Sequence, residues 1–137
     1  MKYGSAVIIT NSKGEIFLQH RDGGAPTDKN TWALWGGGKE GNESNEETAV
    51  RELEEELSIV VKKEELTLYK KYILDYVDRQ GEKQSKEVSV FVLEDRGLFN
   101  YVLKEGNDMK FFGREEIAML PLAKYPKIWL YDYCHIA

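Results

Sequence analysis

The chain has 137 residues, 42% of them apolar and 31% charged, a composition that fits one soluble globular domain, 1–137, around one hydrophobic core. No run approaches the roughly 18 apolar residues that a membrane-spanning helix requires. The net charge of −5 argues against a general nucleic-acid binder, whose affinity comes from basic residues neutralising phosphates. It leaves room for a small phosphorylated ligand, because a divalent cation can supply positive charge locally.

In chain order, Met1 to Ser5 runs directly into a β-like apolar segment, without the long apolar core or cleavage site of a secretory leader, so a cytoplasmic location is expected. Tyr3–Thr10 and Glu15–His20 flank the turn Asn11-Ser12-Lys13-Gly14 and read as a β-hairpin. Residues 22–30 (DGGAPTDKN) read as a loop. Trp32 to Trp35 is a short apolar run ending in Gly36-Gly37-Gly38, where no regular element is expected to survive.

The clearest helix follows. Ser44 and Glu47 have capping-box spacing, and Ala49, Val50, Leu53 and Leu57 recur at helical intervals to give one apolar face. Beyond it, Leu66–Val77 and Glu87–Leu93 read as long strands around the polar turn 78–83, and Met109–Phe112 as a short one. Arg114–Met119 and a segment starting near Tyr125 or Pro126 read as helical. Strands before, between and after helices predict an α/β domain with a mixed sheet covered by helices. The single cysteine, Cys134, has no partner for an internal disulfide or a thiolate metal site.

The chemistry concentrates between Gly37 and Ile59. Seven glutamates lie between Glu43 and Glu56, and Glu52, Glu55 and Glu56 share one side of the helix at i, i+3, i+4 spacing. Three clustered carboxylates repel one another, which a hard cation such as Mg²⁺ would offset. A glutamate-rich helix can equally be a solvated face. Arg51 offers a planar fork that can hold a carboxylate by paired hydrogen bonds. The glycine run just before the helix can bring bare backbone close to a phosphate or a metal.

Together these residues resemble the Nudix box, G-x5-E-x7-R-E-U-x-E-E-x-G-U with U apolar. Gly37, Glu43, Arg51-Glu52-Leu53, Glu55-Glu56 and Ile59 match, and only Ser58 departs, standing where glycine is usual. That position calls for a left-handed helix cap, and a non-glycine residue there costs on the order of 1 kcal/mol. Trp32-Ala33-Leu34-Trp35-Gly36-Gly37 is similar to the family's W-x-L-P-G-G lead-in, with Trp35 in place of proline. The order of elements resembles the whole Nudix α/β/α sandwich with its central mixed sheet. Lys104-Glu105-Gly106 before Met109–Phe112 looks like the later loop that presents a further acidic residue in many members.

The resemblance implies hydrolysis of a nucleoside diphosphate linked to another group, with Mg²⁺ or Mn²⁺ as cofactor. It implies Glu52, Glu55 and Glu56 as metal ligands, joined by a backbone carbonyl of Gly36 or Gly37. Arg51 would orient a glutamate, and Glu43 and Gly38 would support the site. The proton acceptor would be Glu52, Glu56 or Glu105. Outside the box, Arg21, Trp32 and Lys39 are candidate substrate contacts, and Phe111, Phe112, Tyr125 and Trp129 are candidate stacking surfaces that serve equally as core. A nucleoside triphosphate, canonical or oxidised as in the MutT-like subgroup, is the first expected substrate. ADP-ribose or a nucleotide sugar is the alternative, and a non-catalytic binding module the most distant one. Self-association into a homodimer is compatible with the family.

Overall fold

The computed structural model describes residues 1–21, 23, 29–104 and 108–137. Its centre is β1 (Lys2–Thr10), whose AVII run is buried on both sides. Alternation along the strand sends Val7 and Ile9 to one core cluster and Ala6 and Ile8 to the other. A strand buried on both faces has no need of a polar side, which is why its sequence is continuously apolar.

Parallel to β1 along its whole length runs β6 (Lys83–Glu94), and β5 (Leu66–Val77) pairs antiparallel with β6 at the sheet's end. The other edge of β1 is divided. Its C-terminal end pairs with β2 (Ile16–Arg21) across the predicted turn, while Gly4 to Val7 pair with β4 (Trp35–Gly38). β3 (Thr31–Ala33) and β7 (Asp108–Phe112) both pair with β2. The sheet is therefore mixed, as expected.

Helix α1 (Asn45–Leu57) covers one face and buries Ala49, Leu53 and Leu57 against Val7, Ile9, Phe17 and Trp35. The short α2 (Arg114–Ile117) and α3 (Lys124–Tyr133) cover the opposite face, where Ile117, Trp129 and Leu130 pack on Ile8, Leu18, Val88 and Val90. The result is the α/β/α sandwich that the order of elements implied.

Two expectations need correction. Gly36 to Gly38 do form a strand. Their backbone pairs with Gly4 to Ala6 of β1, so partner hydrogen bonds, rather than side-chain preference, hold them extended. β6 also begins four residues earlier than its apolar pattern suggested, because the polar segment Lys83–Lys86 pairs with Leu74–Val77. The predicted loop 22–30 and Glu105 fall wholly or largely outside the described residues.

Candidate active site

Helix α1 starts where its sequence says it should. The Ser44 hydroxyl accepts from the Glu47 amide at 3.1 Å, and Glu47 accepts from the Ser44 amide at 2.8 Å, closing the capping box. It ends at Ser58, which adopts the left-handed conformation (φ 57°) normally left to glycine, its amide donating to the Glu54 carbonyl. The departure from the box therefore leaves the cap geometry in place.

Between those ends Arg51 acts as a hub. Its Nε and Nη2 donate to the two oxygens of Glu43 at 2.7 and 3.1 Å, and Nη2 also donates to the Gly38 carbonyl at 2.8 Å. Its Nη1 reaches Glu52 at 3.0 Å and Glu55 at 3.2 Å. The fork is thus spent on Glu43, while Glu52 and Glu55 each receive one bond. Glu43 accepts in addition from the Glu40 amide and the Thr48 hydroxyl. The Arg51 bonds, then the Glu40 amide, hold its carboxyl at about 2, well below the ordinary 4.5.

Two glutamates press against β4. A Cβ on Gly37 would collide with the Glu52 carboxylate, so only glycine lets that carboxylate lie against the strand. Burial pushes the Glu52 carboxyl up, against the lowering effect of Arg51. One turn on, Glu56 accepts from the Gly36 amide at 2.8 Å and sits 3.4 Å from the Gln19 side-chain nitrogen. Gly36 itself has φ 138°, and a Cβ there would strike the Ser5 carbonyl of β1. Both glycines are therefore required by close approach, Gly37 to the Glu52 carboxylate and Gly36 to the backbone of β1.

Among the described residues, no three His, Cys, Asp or Glu side chains are gathered tightly enough to hold an ion as they stand. The donor chemistry nevertheless suits a hard divalent cation: three carboxylates on one helix face, one lying where a Cβ on Gly37 would be and one held by the Gly36 amide.

On the opposite face of β4 lies a cavity of about 510 Å³, within the range of small-molecule sites. Gly36 and Gly37 line it, with Leu74, Tyr125 and Trp129 as its apolar wall. The charged side chains lining it, among the described residues, are Lys2, Arg21 and Lys86, all cationic. Lys86 is half-buried, and desolvation, then repulsion from Lys2, pulls its ammonium below the usual lysine range. The Trp129 indole N–H is buried without an acceptor among the described residues, although such a group normally finds one.

Of the substrate contacts expected from sequence, Arg21 lines this cavity. Trp32 packs edge-on against Phe112 and His20 instead, and Lys39 stands over the Tyr3 ring by a separate shallow recess. Phe111 stacks on Phe17 in the core beneath α1. Tyr125 and Trp129 stack on each other at the cavity wall. Lys2, Gln19 and Lys86 escaped sequence reasoning. Lys86 lay between the predicted turn 78–83 and the predicted strand start at Glu87, and strand alternation with Val88 and Val90 is the signal that could have found it.

The chain matches the NUDIX domain over residues 2–132. It belongs to that family and is a Nudix hydrolase. No curated protein matches the chain in sequence. Among solved structures it is similar to the dihydroneopterin triphosphate pyrophosphohydrolase of E. coli, at 20% identity, covering 98% of this chain and 96% of that one, with a TM-score of 0.74. It is also similar to the NUDIX domain of Shewanella oneidensis NrtR complexed with ADP ribose (15% identity, 96% and 84% covered, TM-score 0.75). The Ap4A hydrolase of C. elegans is a third (20% identity, 97% and 95% covered, TM-score 0.67). Likeness at these identities shows the shared fold.

Proposed function

We propose that the chain is a divalent-cation-dependent hydrolase that cleaves the diphosphate linkage of a nucleoside triphosphate, canonical or oxidised. The observation that carries this reading is the two-sided use of β4. Glu52 and Glu56 press on Gly36-Gly37 from one face, and a cation-lined cavity opens on the other.

In this reading Glu52, Glu55 and Glu56 hold Mg²⁺ (or Mn²⁺) with a carbonyl of Gly36 or Gly37. The cation, when bound, neutralises diphosphate charge and activates water for attack at phosphorus. Arg51 keeps Glu52 and Glu55 in place, and Glu43 anchors Arg51 to the loop before the helix. Glu52 or Glu56 takes the proton from the attacking water; Glu105, outside the described residues, is the remaining candidate. Lys2, Arg21 and Lys86 meet the anionic part of the substrate, Tyr125 offers a stacking face, and the Trp129 N–H can donate to an acceptor on the ligand.

Three cations lining one cavity of an acidic protein favour a substrate with concentrated charge, which supports the triphosphate. A similar fold solved with ADP ribose supports a diphosphatase of ADP-ribose or of a nucleotide sugar as the second reading. The test is product release with Mg²⁺ and with EDTA, across canonical and oxidised nucleoside triphosphates, ADP-ribose, nucleotide sugars and dinucleotides. Metal-dependent cleavage of triphosphates is expected. Formation of AMP plus a sugar phosphate, with triphosphates untouched, moves the assignment to the second reading. Cleavage of no compound would sink the hydrolase reading for this whole substrate class.

A further inference from the structure

Strand β5 ends the sheet, and its sequence, LTLYKKYILDYV, is not that of a quiet edge. Among the described residues, four of the eleven exposed large hydrophobics (Leu68, Tyr69, Ile73 and Val77) lie on this one strand. Ile73 is 56% exposed and Val77 63%. The register with β6 is interrupted once, between Leu68 and Lys70, and is regular from Lys70 to Val77. Across that regular stretch no described backbone group other than those of β6 bonds to the strand. Among the described residues, the outer edge therefore offers a row of amides and carbonyls without backbone partners, a template for another strand.

Strand alternation divides the side chains. Lys70 and Tyr72 face α3, where both bond to Asp132. Lys71, Ile73, Asp75 and Val77 project from the other face, which α1 does not reach over β5. An antiparallel copy of β5 centred on Ile73 places Lys71 opposite Asp75 twice, on either side of an Ile73–Ile73 contact. The same register sets Tyr72 opposite Leu74. Attractive charge pairs flank an apolar centre, and no like charges are opposed.

We propose that β5 is a homodimer interface, formed by antiparallel pairing of β5 with β5 of a second copy about a two-fold axis at Ile73. The sheet becomes continuous through both copies. The exposed apolar groups are covered, and Lys71, a residue type that usually guards an edge, becomes a partner to Asp75.

The test is sedimentation velocity of the full chain over a micromolar concentration series. The variants are Lys71→Asp, Asp75→Lys, the double exchange, and Ile73→Lys. None of these side chains lines the cavity or touches α1, so turnover per chain and thermal unfolding serve as folding controls. The parent chain is expected to dimerise. Either single charge reversal should weaken association roughly tenfold or more, the double exchange should restore it, and Ile73→Lys should abolish it. A parent that stays monomeric throughout overturns the proposal. So does a dimer indifferent to the single reversals, or a double exchange that fails to recover. Asp75 also accepts from Ser85 at 2.7 Å, so recovery in the double exchange, where that bond is still absent, separates an intermolecular effect from lost local support.

Discussion

The two faces of β4 carry opposite charge. Toward α1, Glu40, Glu43, Glu52 and Glu55 converge on Arg51, and Glu52 and Glu56 lie against the backbone of Gly37 and Gly36. Toward α3, the same glycines line a cavity whose charged walls are Lys2, Arg21 and Lys86. Gly36 and Gly37, which carry no side chains, separate an acidic cluster from a basic one. Side chains there would push the two apart, and a ligand reaching past β4 could not meet both. The charged state of each side is also stabilised differently. The acidic face relies on hydrogen bonds from Arg51 and from backbone amides, whereas Lys86 is held half-buried beside another lysine. The acidic face is thus ordered by its own hydrogen bonds, whereas burial works against the charge of Lys86.

The comparison can be broken first on the acidic side. Glu56→Gln keeps an acceptor for the Gly36 amide but removes the charge. Turnover should fall by about two to three orders of magnitude, with an unchanged circular-dichroism spectrum. Equal rates for variant and parent would remove Glu56 from the site.

On the basic side, Lys86→Met keeps the apolar stem and removes the ammonium. Loss of one charge-assisted contact of about 2 kcal/mol should lower kcat/KM roughly thirtyfold, mostly through KM. The unfolding midpoint should not fall, because the cost of burying the Lys86 ammonium outweighs its attraction to Glu52. A drop in kcat alone would place Lys86 among the reacting groups instead.

A pH titration sharpens the contrast. The Glu43 carboxyl is depressed from 4.5 to about 2. The stability it contributes is therefore fully present above pH 4.5 and is lost as pH falls through about 2. In EDTA, Glu43→Gln should be less stable than the parent near neutrality, and the gap should close across that window. A gap that persists to low pH would show that the Glu43 charge is not what stabilises the junction. The smallest effect is expected at the helix end. Ser58→Gly relieves a left-handed residue and should raise stability by up to about 1 kcal/mol in urea unfolding, with turnover unaffected.

Much of the acidic face was legible in the chain because its geometry is local. The capping box at Ser44, the i, i+3, i+4 glutamates and the apolar face of Ala49, Leu53 and Leu57 all follow from helical periodicity within thirteen residues. Arg51 could be seen as a carboxylate holder, although its choice of Glu43 for the paired bonds could not. The buried character of β1 was also plain, since a continuous apolar run needs no partner to be recognised.

The basic face depended on residues far apart in sequence. Lys2, Arg21, Lys86 and Trp129 come from four elements, and only the pairing of β1 with β6 and the packing of α3 over them bring these side chains to one cavity. The strand at Gly36–Gly38 was hidden for the same reason: glycine has no side-chain preference to read, and its extended form comes from β1. Local periodicity fixes which side of an element is apolar or charged. Which sides meet is decided by long-range backbone hydrogen bonds and by the burial that the assembled layers make favourable.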